Sequence, residues 1–274
     1  MNTEGIAAVT GASRGIGRAV ALELARRGFE VLATMRDPAT GAGLDDEAAD
    51  AGGRLRVAAL DVTQPETIRL PDGLRVLVNN AGTEREHLPV EETPVELWRD
   101  LFETNVFGLV EVTRRAIPLL RAAGGSVICN IGSSSILAPV PFYAAYRASK
   151  SAVSALSMTL RAELAPQRIR VVEIMPGPID TDMLEHSQVT AIRPAGTQYQ
   201  ALAEHMNAGK DNVATMIQPV ADAASLIVDA ILDDDGPMRY GCDPMSTGMI
   251  DAWRTTSDEQ MMVGMLEHLV PDTT

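Results

Sequence analysis

Apolar residues along this chain gather in short uninterrupted runs rather than in alternating patterns. Such runs are typical of strands in a parallel sheet, because helices cover both faces of that sheet. On this pattern the sequence predicts strands over residues 6–10, 30–34, 56–60, 75–79, 126–131 and 169–175, and a shorter seventh strand over 239–242.

Helical segments separate several of these strands. The sequence predicts a helix over residues 18–27, which Gly28 closes, a long helix over 95–121 and another over 143–164. Strands that alternate with helices imply right-handed crossover connections. The chain is therefore predicted to be an α/β protein with a doubly wound, Rossmann-type parallel sheet of about seven strands.

Length and composition narrow the possibilities further. The 274 residues contain no repeat, low-complexity tract or linker, so a single domain over 1–274 is expected. Cys129 and Cys242 are too few for a disulfide framework and are expected to be small buried residues. The net charge of −14 argues against a nucleic-acid partner. No charged and apolar leader precedes the first strand and no apolar run reaches about 18 residues, so we expect a cytoplasmic protein without a membrane partner.

A glycine-rich segment follows the first predicted strand. Residues 10–17 read TGASRGIG, which is a G-x-x-x-G-x-G spacing that opens the first helix. Glycines let the backbone turn sharply and approach a pyrophosphate, which the N–H groups at a helix N-terminus then bind. A simple tight turn is the alternative. The preceding strand and the following helix favour a dinucleotide site.

The end of the second strand bears on the choice of cofactor. Met35 occupies the position at which NAD sites usually carry an acid that binds the ribose hydroxyl groups. Arg36 follows it, and Arg14 projects from the glycine-rich turn. Two guanidinium groups suit a 2′-phosphate. We therefore expect NADP(H) to be favoured over NAD(H), with Asp37 capping the next turn.

Polar and small residues also follow the third and fourth strands. Asp61 and Val62 come after the third strand, and an aspartate there is able to accept a hydrogen bond from an adenine amino group. After Asn79, the small residues Ala81 and Gly82 let the chain pass close to an adenosine. A helix-capping aspartate and an ordinary loop glycine are the alternatives.

Tyr146 and Lys150 form the most informative pair in the chain. Their spacing of four residues places both side chains on one face of a helix. A free phenol has a pKa of about 10, and a neighbouring ammonium group favours the phenolate and lowers that value. The pair therefore predicts a general acid/base, although the same spacing also occurs by chance on solvated helices.

These residues together resemble the short-chain dehydrogenase/reductase family over about residues 5–185. The matching positions, in the order and spacing of that family, are residues 10–17, Asp61, residues 79–82, Asn105, Ser133, Tyr146, Lys150, Pro176 and Gly177. Residues 33–38 and 238–240 further resemble the branch that contains 17β-hydroxysteroid and retinol dehydrogenase-like enzymes. That branch acts on lipophilic alcohols and ketones.

The resemblance implies a role for each of four residues. Tyr146 would exchange a proton with the substrate oxygen, and Ser133 would donate a hydrogen bond to the same oxygen. Lys150 would lower the pKa of Tyr146 and bind the nicotinamide ribose. Asn105 would hold a water molecule that supplies protons to Lys150.

The same resemblance implies the contacts of the cofactor. Pro176 and Gly177 would border the nicotinamide ring, and Thr181 would bind its carboxamide. The expected cofactor-binding residues are Gly11, Ser13, Arg14, Gly15, Ile16, Gly17, Arg36, Asp61, Val62, Asn79, Ala81, Gly82, Tyr146, Lys150, Pro176, Gly177, Ile179 and Thr181. No metal site is expected, since His186 and His205 lack partners at a suitable spacing.

Two segments depart from the family pattern. Only 17 residues separate Asp61 from Asn79, so the crossover between these strands should be too short for a full helix. Residues 83–87, TEREH, are unusually charged for a loop near the mouth of an active site. His87 is expected to be exposed there, with contact to a polar substrate group as the alternative.

The resemblance also places a substrate lid at about residues 182–218. Its apolar residues favour a lipophilic steroid-, retinoid- or polyketide-like ketone or secondary alcohol, with a more polar aromatic or polyketide-type carbonyl as the alternative. The methionines of this segment would equally serve as core or subunit contacts. The long helices 95–121 and 143–164 resemble those that pair family members into homodimers or homotetramers. The helix 143–164 carries an apolar stripe of Val153, Leu156, Leu160 and Leu164. This stripe would either form the contact between subunits or pack against the sheet. A catalytically silent NADP(H)-binding sensor or scaffold is the alternative function.

Overall fold

Seven parallel strands form one sheet in this computed structural model. They are β1 (Ile6–Thr10), β2 (Glu30–Met35), β3 (Arg54–Ala59), β4 (Leu74–Asn79), β5 (Ser126–Ile131), β6 (Ile169–Ile174) and β7 (Arg239–Tyr240). Their spatial order is β3-β2-β1-β4-β5-β6-β7. The prediction of a doubly wound parallel sheet is confirmed. The order reverses between β1 and β4, where such sheets bind ligands.

The structure describes residues 1–269. Residues 270–274, which the expected single domain also includes, lie outside the described part. The side chains of six further residues lie outside it as well, namely Gln188, Val189, Asp211, Asn212, Ala214 and His268.

Ten α-helices are present within residues 1–269. They are α1 (Gly15–Arg26), α2 (Leu44–Asp50), α3 (Val95–Phe102), α4 (Leu109–Ala123), α5 (Ala144–Leu164), α6 (Asp182–Val189), α7 (Gln200–Ala214), α8 (Val220–Leu232), α9 (Pro244–Thr255) and α10 (Asp258–Leu269). The predicted helix over 95–121 is divided, because a π-helical turn (Glu103–Gly108) joins α3 to α4. None of the ten combines the length and apolarity that a bilayer-spanning helix needs.

Alternate residues of each strand pack against opposite helical layers. On one face, Val9 of β1 lies in a core cluster with Leu24 of α1 and Ile227 of α8. On the other face, Ala8 of β1 lies in a second cluster with Val112 of α4. This explains the continuous apolar runs of the central strands, since both of their faces are buried, whereas the edge strand β3 alternates between exposed and half-buried residues. Cys129 and Cys242 are buried free thiols, as predicted.

The apolar stripe on α5 faces the sheet. Leu160 and Leu164 belong to the second core cluster, and Leu156 packs against it. Val153 is also buried. Of the two roles expected for this stripe, the structure shows the second, because the stripe packs against the sheet.

The crossover between β3 and β4 is short, as predicted. It contains a single 3₁₀ turn (Pro65–Thr67) in place of a full helix. Thr67 Oγ1 accepts a hydrogen bond from the backbone N–H of Asp61 at 2.9 Å, so the shortened segment holds the end of β3. Asp61 therefore stays at the edge of the sheet despite the missing helix.

Candidate active site

The glycine-rich turn packs so closely against β4 that side chains are excluded from it. Gly11 has a φ of +65°, and a Cβ atom there would lie 2.8 Å from the Cα atom of Ala81. A Cβ atom on Gly17 would collide with the carbonyl oxygen of Gly11 and with the side chain of Asn80. Both positions require glycine. The turn thus leaves a cradle that fits a pyrophosphate.

Helix α1 begins at this turn with its backbone donors available. Arg14, at the N-cap, is extended and its side chain makes no capping hydrogen bond, and the first turn contains no acid. Ser13 precedes it, and Gly15, Ile16 and Gly17 form the first turn itself. Their N–H groups and the helix dipole suit an anion. Binding of the dinucleotide phosphates at this turn stays a prediction.

Asn80 is a residue of this region that the sequence reasoning missed. Its Nδ2 donates hydrogen bonds to the carbonyl oxygens of Thr10 and Gly11, at 2.9 and 3.0 Å. The neighbouring Asn79 points the other way and donates to Thr113 Oγ1 and Asn130 Oδ1, both at 2.9 Å. Successive residues of a strand face opposite sides, so only one of the two asparagines reaches the glycine-rich turn.

β2 ends at Met35, where an acid would be expected in an NAD site. Met35 is buried, and Arg36 is exposed. Asp37 caps the following 3₁₀ turn by accepting a hydrogen bond from Ala39 N at 3.0 Å, as expected. Arg14 is also exposed and forms a surface salt bridge with Asp182 at 3.0 Å.

Asp61 and Val62 occupy the next strand end. Asp61 Oδ1 accepts hydrogen bonds from the N–H and the hydroxyl of Thr63, at 2.9 and 2.8 Å. Val62 is buried and lies so close to Gly108 that a side chain there would clash with it. The carboxylate of Asp61 therefore shapes its own loop through Oδ1.

Ser133, Tyr146 and Lys150 meet beyond the end of β5. Ser133 accepts a hydrogen bond from Ser135 N at 3.2 Å and its hydroxyl lies 2.9 Å from Ser135 Oγ, close enough to Tyr146 to lower the pKa of its phenol. The Nζ of Lys150 lies 5.9 Å from the centre of the Tyr146 ring. It donates a hydrogen bond to the carbonyl oxygen of Ile131 at 2.9 Å. The three side chains that the sequence singled out are thus brought together.

The electrostatics of the pair differ from the expectation. Burial raises the pKa of Tyr146, the charge of Glu84 raises it further, and the hydrogen bond from Ser133 opposes both effects. Burial lowers the pKa of Lys150 to about 8, against the charges of Glu173 and Glu84. The predicted lowering of the Tyr146 pKa by Lys150 is not found here, because desolvation of the phenolate dominates.

Asn105 lies in the π-helical turn and is buried. Its Oδ1 accepts a hydrogen bond from Thr83 N at 2.8 Å, and its Nδ2 donates to Thr83 O at 2.9 Å and to Ser149 Oγ at 3.0 Å. A Cβ atom on Gly82 would lie 3.3 Å from Asn105 Oδ1 and 3.6 Å from Lys150 Nζ. Asn105 and Lys150 thus border the same glycine. A π-helical turn is a frequent feature of functional sites.

A buried ion pair lies one helical turn beyond Lys150. Glu173 on β6 is fully buried and accepts hydrogen bonds from Arg239 Nε at 2.9 Å and from Ser154 Oγ at 3.0 Å. Its other oxygen has no hydrogen-bond partner among the described residues. Its charge also favours the protonated form of Lys150. Sequence reasoning missed Glu173, although a carboxylate within an apolar strand was a signal.

The loop after β6 closes the other side of the site. Gly177 N donates a hydrogen bond to Asp243 Oδ2 at 2.8 Å, and Pro176 O accepts one from Ser134 N at 2.9 Å. Thr181 caps α6, and its Cγ2 would lie 3.3 Å from a Cβ atom on Gly15. This loop therefore lies against the glycine-rich turn. Asp243, buried and absent from the sequence-based predictions, positions it.

Ile179 begins the connection to the predicted lid. It is buried and pairs with Gln218 in an isolated parallel bridge, so the two ends of segment 182–218 lie side by side. Within the segment, Ile192 and Ala203 pack on Phe142, which precedes α5. Glu92 accepts hydrogen bonds from Ala195 N and Gly196 N, both at 2.8 Å. The segment is thus attached to the loops that border the site.

The expectation of an exposed His87 is wrong. Only 8% of its side chain is exposed, and its Nε2 lies 2.7 Å from Glu84 Oε1. The ring stacks on Tyr143 with centroids 3.8 Å apart. The ring of Tyr143, which directly precedes α5, covers the histidine, and the local sequence of the charged loop gave no sign of that contact.

Comparison with known proteins identifies the class. The family model of the short chain dehydrogenases matches residues 5–191, and the chain belongs to this family. Estradiol 17-beta-dehydrogenase 2 of Rattus norvegicus is 37% identical over 188 residues, which are 64% of this chain and 48% of that protein. The match thus spans about half the length of this relative. The resemblance to the steroid dehydrogenase-like branch is confirmed.

Solved structures are similar over nearly the whole chain. A short chain dehydrogenase from Burkholderia cenocepacia, solved in complex with NADP, is 28% identical with a TM-score of 0.74 and covers 99% of this chain and 100% of its own. A short chain dehydrogenase/reductase from Burkholderia phymatum, solved with NAD, has a TM-score of 0.77 at 22% identity and covers 100% and 99%. The second likeness concerns the fold alone.

Proposed function

We propose that this protein is an NADP(H)-dependent oxidoreductase that interconverts a ketone and a secondary alcohol on a lipophilic substrate. The observation that carries the proposal is the meeting of Ser133, Tyr146 and Lys150 beyond β5, with Asn105 beside them. A phenol, a hydroxyl and an ammonium group in one place suit proton transfer to a developing alkoxide.

Each side chain has a distinct task in the reductive direction. Tyr146 donates a proton to the carbonyl oxygen, and Ser133 donates a hydrogen bond to it as negative charge develops. Lys150 replaces the proton on Tyr146, and Asn105 orients a water molecule toward Lys150. When bound, the nicotinamide cofactor supplies the hydride. The glycine-rich turn and the loop around Pro176 and Gly177 would hold it.

A carbonyl panel tests this function directly. We expect the purified protein to oxidise NADPH in the presence of steroid, retinoid or polyketide-type ketones, and mass spectrometry should find the corresponding alcohol. The sensor or scaffold alternative predicts a different result. In that case NADPH fluorescence would report binding, and no ketone in the panel would yield an alcohol.

The cofactor preference rests on the absence of an acid at Met35 and on the exposed guanidinium of Arg36. A 2′-phosphate would gain a charge-assisted hydrogen bond from Arg36, and the 2′-hydroxyl of NADH would gain much less. Arg36→Ala should therefore raise the Kd of NADPH about tenfold, for a loss of ~1.5 kcal/mol, and leave that of NADH nearly unchanged.

Fluorescence titration of both cofactors measures this difference. Arg54→Ala is a matched control, since Arg54 is an exposed arginine at the start of the neighbouring strand β3. If Arg36→Ala left the ratio of the NADPH and NADH Kd values unchanged, Arg36 would not bind the 2′-phosphate.

We also propose a homodimer or homotetramer. The support comes from the outer faces of the long helices, where Phe107 and Met158 are more than half exposed. Large exposed apolar side chains are typical of contact surfaces. The α5 stripe, which faces the sheet, takes no part in this contact.

A further inference from the structure

The charged loop after Gly82 lies directly beside the candidate active site. Asn105 holds the backbone of Thr83 by two hydrogen bonds, at 2.8 and 2.9 Å. Glu84 is the next residue, so the same asparagine that borders Lys150 also sets its position. The loop is therefore part of the wall of the site.

Glu84 and His87 form a protected pair in this wall. Their side chains are 15% and 8% exposed, and Oε1 of Glu84 lies 2.7 Å from Nε2 of His87. His87 stacks on Tyr143, which lies three residues before Tyr146 at the start of α5. The pair is thus held one helical turn from the candidate acid/base.

Nearby cations are directed elsewhere. Arg85 donates to Thr83 Oγ1 at 2.5 Å and to the backbone oxygen of Glu84 at 3.3 Å. Lys210 donates to the carbonyl oxygens of Ser187 and Thr190, at 2.7 and 2.6 Å. Within residues 1–269, no lysine or arginine forms a salt bridge with the Glu84 carboxylate.

This arrangement disfavours the chemistry of the site itself. The charge of Glu84 raises the pKa of both Tyr146 and Tyr143, so it opposes formation of the phenolate. A largely buried carboxylate that forms no salt bridge with a lysine or arginine of residues 1–269 is also costly to the fold, although its charge favours the protonated forms of Lys150 and Lys210. Proteins retain such local conflicts chiefly where function requires them.

We propose that Glu84 and His87 form a polar subsite that binds a hydrogen-bond-donating group of the substrate, a hydroxyl or an ammonium group, and rejects a carboxylate there. This rests on the proposed ketone and alcohol function. The carboxylate of Glu84 accepts the hydrogen bond, and His87 orients it. The preferred substrate is then a largely apolar ketone with a second, neutral or cationic, polar group.

Matched ketones test the subsite by binding as well as by turnover. The probes are acetophenone and its 4-hydroxymethyl, 4-aminomethyl and 4-carboxylate derivatives, titrated by calorimetry into the protein with NADP⁺. We expect the carboxylate to bind at least about tenfold more weakly than the hydroxymethyl compound, because like charges repel at short range. Glu84→Gln should bring the two Kd values within about threefold of each other.

Two further variants distinguish the effect of the Glu84–His87 pair from the effect of the protein's overall negative charge. Glu86→Gln removes an exposed carboxylate two residues away and should leave the wild-type ratio unchanged. His87→Phe keeps an aromatic ring on Tyr143 and should weaken binding of the hydroxymethyl compound. Tighter binding of the aminomethyl probe would indicate recognition of charge, and tighter binding of the hydroxymethyl probe would indicate recognition of a neutral donor. Both results support the subsite.

Three results would overturn the subsite: equal binding of the carboxylate by the wild type, an unchanged ratio in Glu84→Gln, or no binding of any probe. A different result would show that the proposed oxidoreductase function fails while the subsite holds. In that case the binding ratios would follow the expectation, and none of the four ketones would be reduced by NADPH.

Discussion

Tyr146→Phe should lower kcat for ketone reduction roughly 10²–10⁴-fold, which is the usual contribution of a positioned general acid/base. The ring and its packing remain, and only the proton donor is lost. Tyr146 is also among the expected cofactor-binding residues, but the glycine-rich turn would hold the phosphates, so the Kd of NADPH should change much less than kcat. Stopped-flow or steady-state kinetics and fluorescence titration measure the two quantities separately.

The matched control is Tyr240→Phe. Tyr240 lies on β7, and its hydroxyl donates an exposed hydrogen bond to Asp233 Oδ2 at 3.2 Å. Loss of that hydroxyl should leave kcat within about twofold, because one exposed hydrogen bond is worth about 1 kcal/mol or less of stability. Equal effects of the two substitutions on kcat would remove Tyr146 from the mechanism.

The pH dependence gives the same residue a second test. Since burial raises the pKa of Tyr146, the phenol is protonated at neutral pH and ready to donate. Alcohol oxidation needs the phenolate, so its rate should rise as the pH increases above neutrality. Reduction should not show this rise. A Tyr146→Phe variant should lose the pH dependence of any residual oxidation.

Arg239→Met should destabilise the fold by about 3–5 kcal/mol at neutral pH, the usual cost of breaking a buried ion pair from one side. Glu173 is fully buried, and Arg239 contributes both a 2.9 Å hydrogen bond and its charge. Arg239 also stacks on Trp253, with 4.9 Å between the guanidinium carbon and the ring centre. Methionine keeps much of the volume and removes the charge.

The pH dependence of this loss follows from Glu173. Burial raises the pKa of Glu173 in the fold, and Arg239 lowers it. Without Arg239 the folded pKa rises further, so the variant loses stability as the pH rises through that higher value. Urea unfolding should show a small difference from wild type near pH 4.5, where the carboxyl group is protonated, and a larger one near pH 8.

Arg254→Met provides the comparison for this variant. Arg254 pairs with Asp251 on α9, with 47% and 68% of the two side chains exposed, so its loss should cost less than about 1 kcal/mol. A pH-independent loss in Arg239→Met equal to that of Arg254→Met would mean that Glu173 does not depend on its partner.

Local patterns were sufficient for the parts of the protein that depend on neighbours in the sequence. The continuous apolar runs predicted the central strands, because burial on both faces removes the need for alternation. The glycine spacing predicted the turn at Gly11 and Gly17, where no side chain fits. The i, i+4 spacing placed Tyr146 and Lys150 on one helix face, as α5 has them.

Only the tertiary structure decided which of two neighbours faces the site and what surrounds each charge. The sequence does not distinguish Asn79 from Asn80, since the direction of each depends on the strand's place in the sheet. Glu173 and Lys150 are far apart in the chain, and β6 and α5 bring them within electrostatic reach. The pKa of Tyr146 follows from the burial that such distant segments impose. Spacing along the chain thus identified the candidate acid/base pair, and packing between remote elements shifts the pKa values of its two groups.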